Sequence, residues 1–286
     1  MKETSSPRSF SITDAKIPIL LALKRTGELR PHEETVQDEL RGIVKALEHD
    51  PVLRHPIIAD SATGLVLDGT HRLAALKMLG CLTVPVALID YENPLVGVDR
   101  WFRTIKLHDP SDLMKRLNRL SPIPVSDVDG EKSLIERSSY ATLRRTEQCL
   151  AFRSMDSSPL NLCRRAFALE QIARDNHAKI TYADKNDARD VSPTSIMMST
   201  IRLEKREVVE SCIKQELFPP KSTRHLIPSR PLGTSVPLRW LKTNNIEEAE
   251  TEFEKHLTTM RIRKLPEGSV VGSRRYMEEV FLFEQN

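Results

Sequence analysis

Apolar and polar positions along the first hundred residues fall into short, dense runs. The apolar "IPILLAL" (17–23) predicts a strand or a short helix. In "GELRPHEETVQDELRGIVKALEHD", Val36, Leu40, Ile43, Val44 and Leu47 keep the 3.6-residue period. They predict a helix beginning after Pro31, with Glu33 and Glu34 in its first turn, where proline and carboxylates are favoured. "HPIIAD" and "TGLVLDG" flank a Ser-Ala-Thr-Gly turn and read as a hairpin. A helix from about Thr70 to Leu79 follows, stopped by Gly80, and "TVPVALIDY" reads as another strand.

Further on, "YATLRRTEQCLAF" reads as a strand pair, "NLCRRAFALEQIARDNH" as an amphipathic helix and "AKITYAD" as a strand. The apolar "TSIMMSTI" leads into the helical "EKREVVESCIKQEL"; "EAETEFEKHLTTM" is a third helix of this half, and "RRYMEEVFLFE" reads as a strand. The pattern predicts an α/β (α+β) protein. Residues 1–15, Ser-rich and polar, are expected to be a flexible arm; 16–109 form a first domain, and 110–131, with "SPIPVSDVDGEK", a linker. A second α/β domain is expected over 132–242, and a helix-and-strand extension over 243–286.

Composition changes this picture little. Of 286 residues, 39% are hydrophobic and 29% charged, ordinary values for a globular chain with a sizeable core. The net charge of +3 argues against a dedicated nucleic-acid binder. Cys81, Cys149, Cys163 and Cys212 form no metal-binding spacing and read as reduced thiols. Residues 17–23 are too short to span a bilayer and lack a signal cleavage pattern, so a cytoplasmic protein is expected.

Four segments offer chemistry. In "VLDGTHRLAALKMLG" the cluster Asp68-Gly69-Thr70-His71-Arg72 stands where a strand hands over to a helix. A helix N-terminus presents unpaired N–H groups and the positive end of the dipole, so it suits phosphates, and Asp68 could hold a divalent cation between phosphate oxygens. The same residues equally fit a capped turn with Arg72 in a surface ion pair. Glu33 fits either a first-turn carboxylate or a general base. "FPPKSTRHLIPSRP" gathers Lys221, Ser222, Thr223, Arg224, His225 and Arg230 in a proline-stiffened segment, as a solvated basic loop or a carboxylate or phosphoryl site. Trp101, between Arg100 and Arg103, lines a pocket or simply packs.

Together these segments resemble a known family. "LDGTHRLAALKMLG" is similar to the phosphate-binding segment of the ParB/sulfiredoxin-like superfamily. A sulfiredoxin would carry cysteine at the position of Thr70. With "LRPHEETVQDEL", Trp101 and "LFPPKSTRHLIP" in this order, the chain resembles the free L-serine kinases over about Leu29 to Leu241. The resemblance implies a ParB/sulfiredoxin-like nucleotide-binding domain, ATP or ADP with Mg²⁺, and phosphorylation of free L-serine to O-phospho-L-serine. It implies Glu33 as catalytic base and Asp68 as the carboxylate beside metal and phosphates. Gly69, Thr70, His71 and Arg72 would hold phosphates; Trp101, Ser222, Thr223, Arg224 and His225 would surround serine. Some members carry a second histidine where Thr70 stands. The rival within the superfamily is a ParB-like nucleotide- or DNA-binding regulator without kinase activity, which would carry a helix-turn-helix after the first domain.

Overall fold

The computed structural model describes residues 8–183 and 194–285. The chain divides into two compact units, one formed by residues up to Gly97 together with those from His225 onward, the other by Val98–Arg224.

The first unit opens with β1 (Ser9–Ile12), β2 (Ile19–Arg25), α1 (Gln37–His49) and β3 (Val52–Leu53). It continues through β4 (Ile57–Asp60), β5 (Val66–Asp68), α2 (Thr70–Met78) and β6 (Thr83–Ile89). Its sheet has the order β1-β2-β6-β4-β5. Every residue of β6 is buried, as a central strand demands, and β4 runs parallel to it while the other pairs are antiparallel. α1 packs against α2.

β7 (Gly97–Asp99) and β14 (Arg224–Leu226) carry the chain out of this unit and back. The returning segment forms β15 (Ser229–Leu232), β16 (Val236–Pro237), α7 (Leu238–Leu241) and α8 (Ile246–Thr259). It ends in β17 (Arg261–Leu265), β18 (Val270–Val271), β19 (Arg274–Arg275) and β20 (Glu279–Glu284). β20 lies between β15, parallel, and β17, antiparallel. β16 pairs with β3, and α8 covers β1 and β2. The expected extension 243–286 is therefore integral to the first unit.

The second unit contains β8 (Phe102–Lys106), α3 (Ser111–Asn118), β9 (Ile123–Val125), α4 (Asp127–Ile135), β10 (Ser139–Arg145) and β11 (Gln148–Arg153). It is completed by α5 (Pro159–Asp175), β12 (Lys179–Ala183), β13 (Ser195–Thr200) and α6 (Lys205–Lys214). Six antiparallel strands form its sheet, in the order β12-β8-β13-β10-β11-β9, with α4 and α5 packed on β10.

Several expectations change. Residues 9–12 of the expected arm form β1; residues 1–7 lie outside the described residues. α1 begins at Gln37, not just after Pro31. Proline biases the residue before it toward extended backbone. Arg30 accordingly bridges Leu65 in the manner of a strand, beside the start of β5, and the helix begins only at Gln37. The expected linker 110–131 carries α3, β9 and the start of α4, because Leu113 and Leu117 share one helical face and bury it. All four cysteines are buried free thiols. No helix among the described residues is long and apolar enough to cross a membrane.

Candidate active site

β5 ends at Asp68, and Gly69 turns the chain into α2 through a left-handed conformation, φ 105°. Only glycine adopts this φ without strain. A Cβ here would also meet the Arg72 guanidinium at 3.0–3.1 Å. That guanidinium is pinned: Nη1 donates to the carbonyls of His55 (2.9 Å) and Pro56 (2.6 Å), and Nη2 to Asp68 Oδ2 (3.0 Å). No side chain caps α2, so its N-terminus keeps the donor-rich, electropositive character that attracts anions.

The same Asp68 oxygen accepts from Arg230, which is buried and whose Nε donates to Glu278 at 2.7 Å. Burial alone would raise the Asp68 carboxyl pKa. Arg230 first, then Arg72 and Arg274, outweigh it and hold the group well below the usual carboxylate range. His55 is pushed down to about 4 by burial and by Arg72, and as a neutral ring its Nδ1 accepts the Gly233 N–H at 3.0 Å.

Upstream of Asp68, two histidines grip the strand. His32 Nδ1 lies 2.9 Å from the Val66 carbonyl and His225 Nδ1 lies 3.0 Å from that of Leu67, with the rings edge-to-face at 5.1 Å. A carbonyl only accepts, so each Nδ1 carries the proton. His225 Nε2 is then the acceptor for the Tyr91 hydroxyl, 2.9 Å away. Burial lowers both imidazole pKa values and keeps the pair neutral. Glu33, with 14% of its side chain exposed, places Oε1 3.7 Å from His32 Nε2. His71 turns toward α1, where its Nε2 accepts the Val36 N–H at 2.9 Å and stands 3.6 Å from Glu39.

The second unit holds the remaining sequence-selected residues. The Arg224 guanidinium lies over the Trp101 ring at 5.0 Å. Ser222 donates to the Pro219 carbonyl at 2.8 Å, and Thr223 is buried. Behind them, Arg103 donates to the carbonyls of Trp101 (2.8 Å) and Lys221 (3.0 Å), so one guanidinium ties Trp101 to the Ser-Thr-Arg run. Its charge is met by fully buried Glu170, at 3.0 Å.

Thus Asp68, Gly69, Thr70, His71 and Arg72 form one turn in the first unit, beside the strand to which His32, next to Glu33, and His225 attach. Trp101, Ser222, Thr223 and Arg224 belong to the second unit, and the "STRH" run straddles the boundary between Arg224 and His225. Sequence reasoning missed Glu278 and Arg274 around Asp68, the Tyr91 partner of His225, and the Arg103–Glu170 pair. Arg230 was visible as one cation of a basic loop; nothing local marked Glu278 as its partner. Among the described residues, no group of three or more His, Cys, Asp or Glu side chains could hold a metal ion.

No family model matches the chain. An ATP-dependent L-serine kinase of Staphylothermus marinus is 26% identical over 79% of this chain and 91% of its own length. An ADP-dependent L-serine kinase of Thermococcus kodakarensis is 27% identical over 75% of this chain and 90% of its own. The chain resembles the free serine kinases. The likeness extends to fold: a solved free serine kinase in complex with AMP superposes with a TM-score of 0.66 at 24% identity, covering 77% of this chain and 93% of that one. The segments similar to the free serine kinases thus run through both units.

Proposed function

We propose that the protein transfers a phosphoryl group from ADP or ATP to the hydroxyl of free L-serine, forming O-phospho-L-serine. The observation that carries this reading is the Gly69 turn, an uncapped helix N-terminus with a left-handed glycine and a pre-positioned guanidinium. Such a turn admits phosphate oxygens close to the backbone. The relatives supply the reaction class, being ATP- and ADP-dependent L-serine kinases.

In this reading the α2 N-terminus, Thr70, His71 and Arg72 bind the phosphates. Arg72 is held by three acceptors before any ligand arrives, so its charge needs no reorganisation on binding. Glu33 takes the proton of the serine hydroxyl as that oxygen attacks the terminal phosphorus in line and the nucleotide oxygen leaves. Trp101, Ser222, Thr223 and Arg224 bind serine, with Arg224 the partner for its carboxylate. His225 acts through its Leu67 and Tyr91 bonds, steadying the strand that ends at Asp68.

A Mg²⁺ fits this donor set. Mg²⁺ in nucleotide sites uses one or two carboxylates with phosphate oxygens and water. Both guanidinium bonds at Asp68 go to Oδ2, which keeps Oδ1 available to hold the ion. When bound, the metal would neutralise charge on the phosphates. The antiparallel sheet of the second unit stands where a ParB-like regulator would carry its helix-turn-helix.

The test incubates the protein with L-serine, Mg²⁺ and either ADP or ATP and follows O-phosphoserine. Product with one donor is expected, and Glu33→Gln should lower turnover about 10²-fold while nucleotide affinity holds. No product with either donor overturns the kinase reading. Near-normal turnover in Glu33→Gln removes Glu33 as the base.

A further inference from the structure

The ion pairs around Asp68 leave one cation over. Asp68 and Glu278 are met by Arg72 and Arg230. Arg274, exposed at the tip of the β18–β19 hairpin, forms no ion pair among the described residues. Its guanidinium instead lies over the Tyr276 ring at 4.8 Å. Tyr276 is buried against Leu232 and Val280, and its backbone closes the hairpin through Gly268 N–H to Tyr276 O (2.8 Å) and Tyr276 N–H to Ser269 O (2.9 Å). Just beyond, Glu278 binds Arg230, and Arg230 stands in register with Val280 between β15 and β20. The base of the hairpin is thereby fixed to the residue that holds Asp68, and the Arg274 charge is felt at the Asp68 carboxyl.

We propose that the β18–β19 hairpin is a phosphate-reading arm of the nucleotide site, with Arg274 recognising the phosphates beyond the first in a nucleoside di- or triphosphate. A guanidinium stacked on a ring, in no ion pair among the described residues and carried on a hairpin tied to an anion-binding turn, is suited to a phosphate oxygen. The α2 turn brings one guanidinium, Arg72, to the phosphates, and a di- or triphosphate carries more negative charge than that one cation balances. This inference rests on the assignment of the Gly69 turn to nucleotide phosphates.

The experiment measures AMP, ADP and ATP binding calorimetrically to the full chain, to Arg274→Gln and to Arg274→Lys. Arg275→Gln, which removes the same charge from the adjacent position, is the control. Arg274→Gln should bind ADP and ATP about fivefold more weakly and AMP within about twofold of the parent. The loss should shrink as salt is raised, because an exposed charge is screened. Arg274→Lys should recover part of it, and unchanged melting of Arg274→Gln would show that the hairpin base is intact. Equal loss for all three nucleotides, no loss, or the same loss in Arg275→Gln overturns the proposal. If the parent chain binds none of the three, the phosphate assignment of the α2 turn itself fails. If it binds all three and Arg274→Gln is neutral, only the hairpin inference falls.

Discussion

Replacing Gly69 by alanine should damage the candidate phosphate turn in a way that can be worked out from two terms. A non-glycine residue at φ 105° is strained by about 1–2 kcal/mol. The new Cβ would also lie 3.0–3.1 Å from the Arg72 guanidinium. A flexible side-chain tip normally yields to such a contact at little cost. This one is held by the His55 and Pro56 carbonyls and by Asp68, and losing even one hydrogen bond to a charged group costs about 1.5–3 kcal/mol. The sum, about 2.5–5 kcal/mol, corresponds to a fall in Tm of roughly 5–20 °C for a domain of this size.

Gly80 supplies the comparison. Its φ is 74°, but nothing lies within 4 Å of its added Cβ, so Gly80→Ala should carry only the backbone cost of about 1 kcal/mol. The assay pairs thermal melting with calorimetric ADP binding for both variants. Gly69→Ala should melt well below Gly80→Ala and bind ADP at least about tenfold more weakly, since the turn must distort to relieve the contact. Gly80→Ala should bind as the parent does. If the two variants melt alike and Gly69→Ala keeps parental affinity, the pinned-guanidinium argument is wrong.

Two further outcomes follow from buried charge and buried imidazole. Glu170→Ala strands the nearly fully buried Arg103 guanidinium and should destabilise the second unit by about 3–5 kcal/mol, read by Trp101 fluorescence in urea in a Trp240→Phe background; a loss below about 1 kcal/mol would refute the pairing. His32, His55 and His225 all have pKa values lowered by burial, so the folded state binds fewer protons than the unfolded state below about pH 6.5. Stability should therefore fall as pH drops from 7 toward 5, by up to about 1.4 kcal/mol per pH unit for each histidine. The urea midpoint across that range should show the slope, and His225→Asn should flatten it; a pH-independent midpoint would contradict the neutral, carbonyl-bound rings.

Much of this protein is legible in its sequence, because much of it is set by local physics. The period of "GIVKALEH" makes α1 amphipathic, and the apolar run "TVPVALI" makes β6 a strand buried along its whole length. Gly69 and Gly80 bracket α2 because a turn into a helix and a stop after it both need left-handed backbone. The candidate phosphate turn is contiguous in the chain, from Asp68 to Arg72, and so are the residues that open and close it.

Tertiary structure decided what contiguity could not express. Strand pairing depends on register between distant segments, so nothing local in "EEVFLFE" showed that it would run parallel to Ser229–Leu232 and return the C-terminal segment to the first unit. That return brings Glu278 and Arg274 to Arg230 and Asp68, converting an apparent single carboxylate into a charged network. The start of α1 moved for a related reason. The Arg30 backbone pairs with Gly64 and Val66, and the Val36 N–H with His71, partners that a one-dimensional pattern does not reveal. The residue types that can hold a phosphate were written in the sequence; the charges that surround them were set by which distant strands lie side by side.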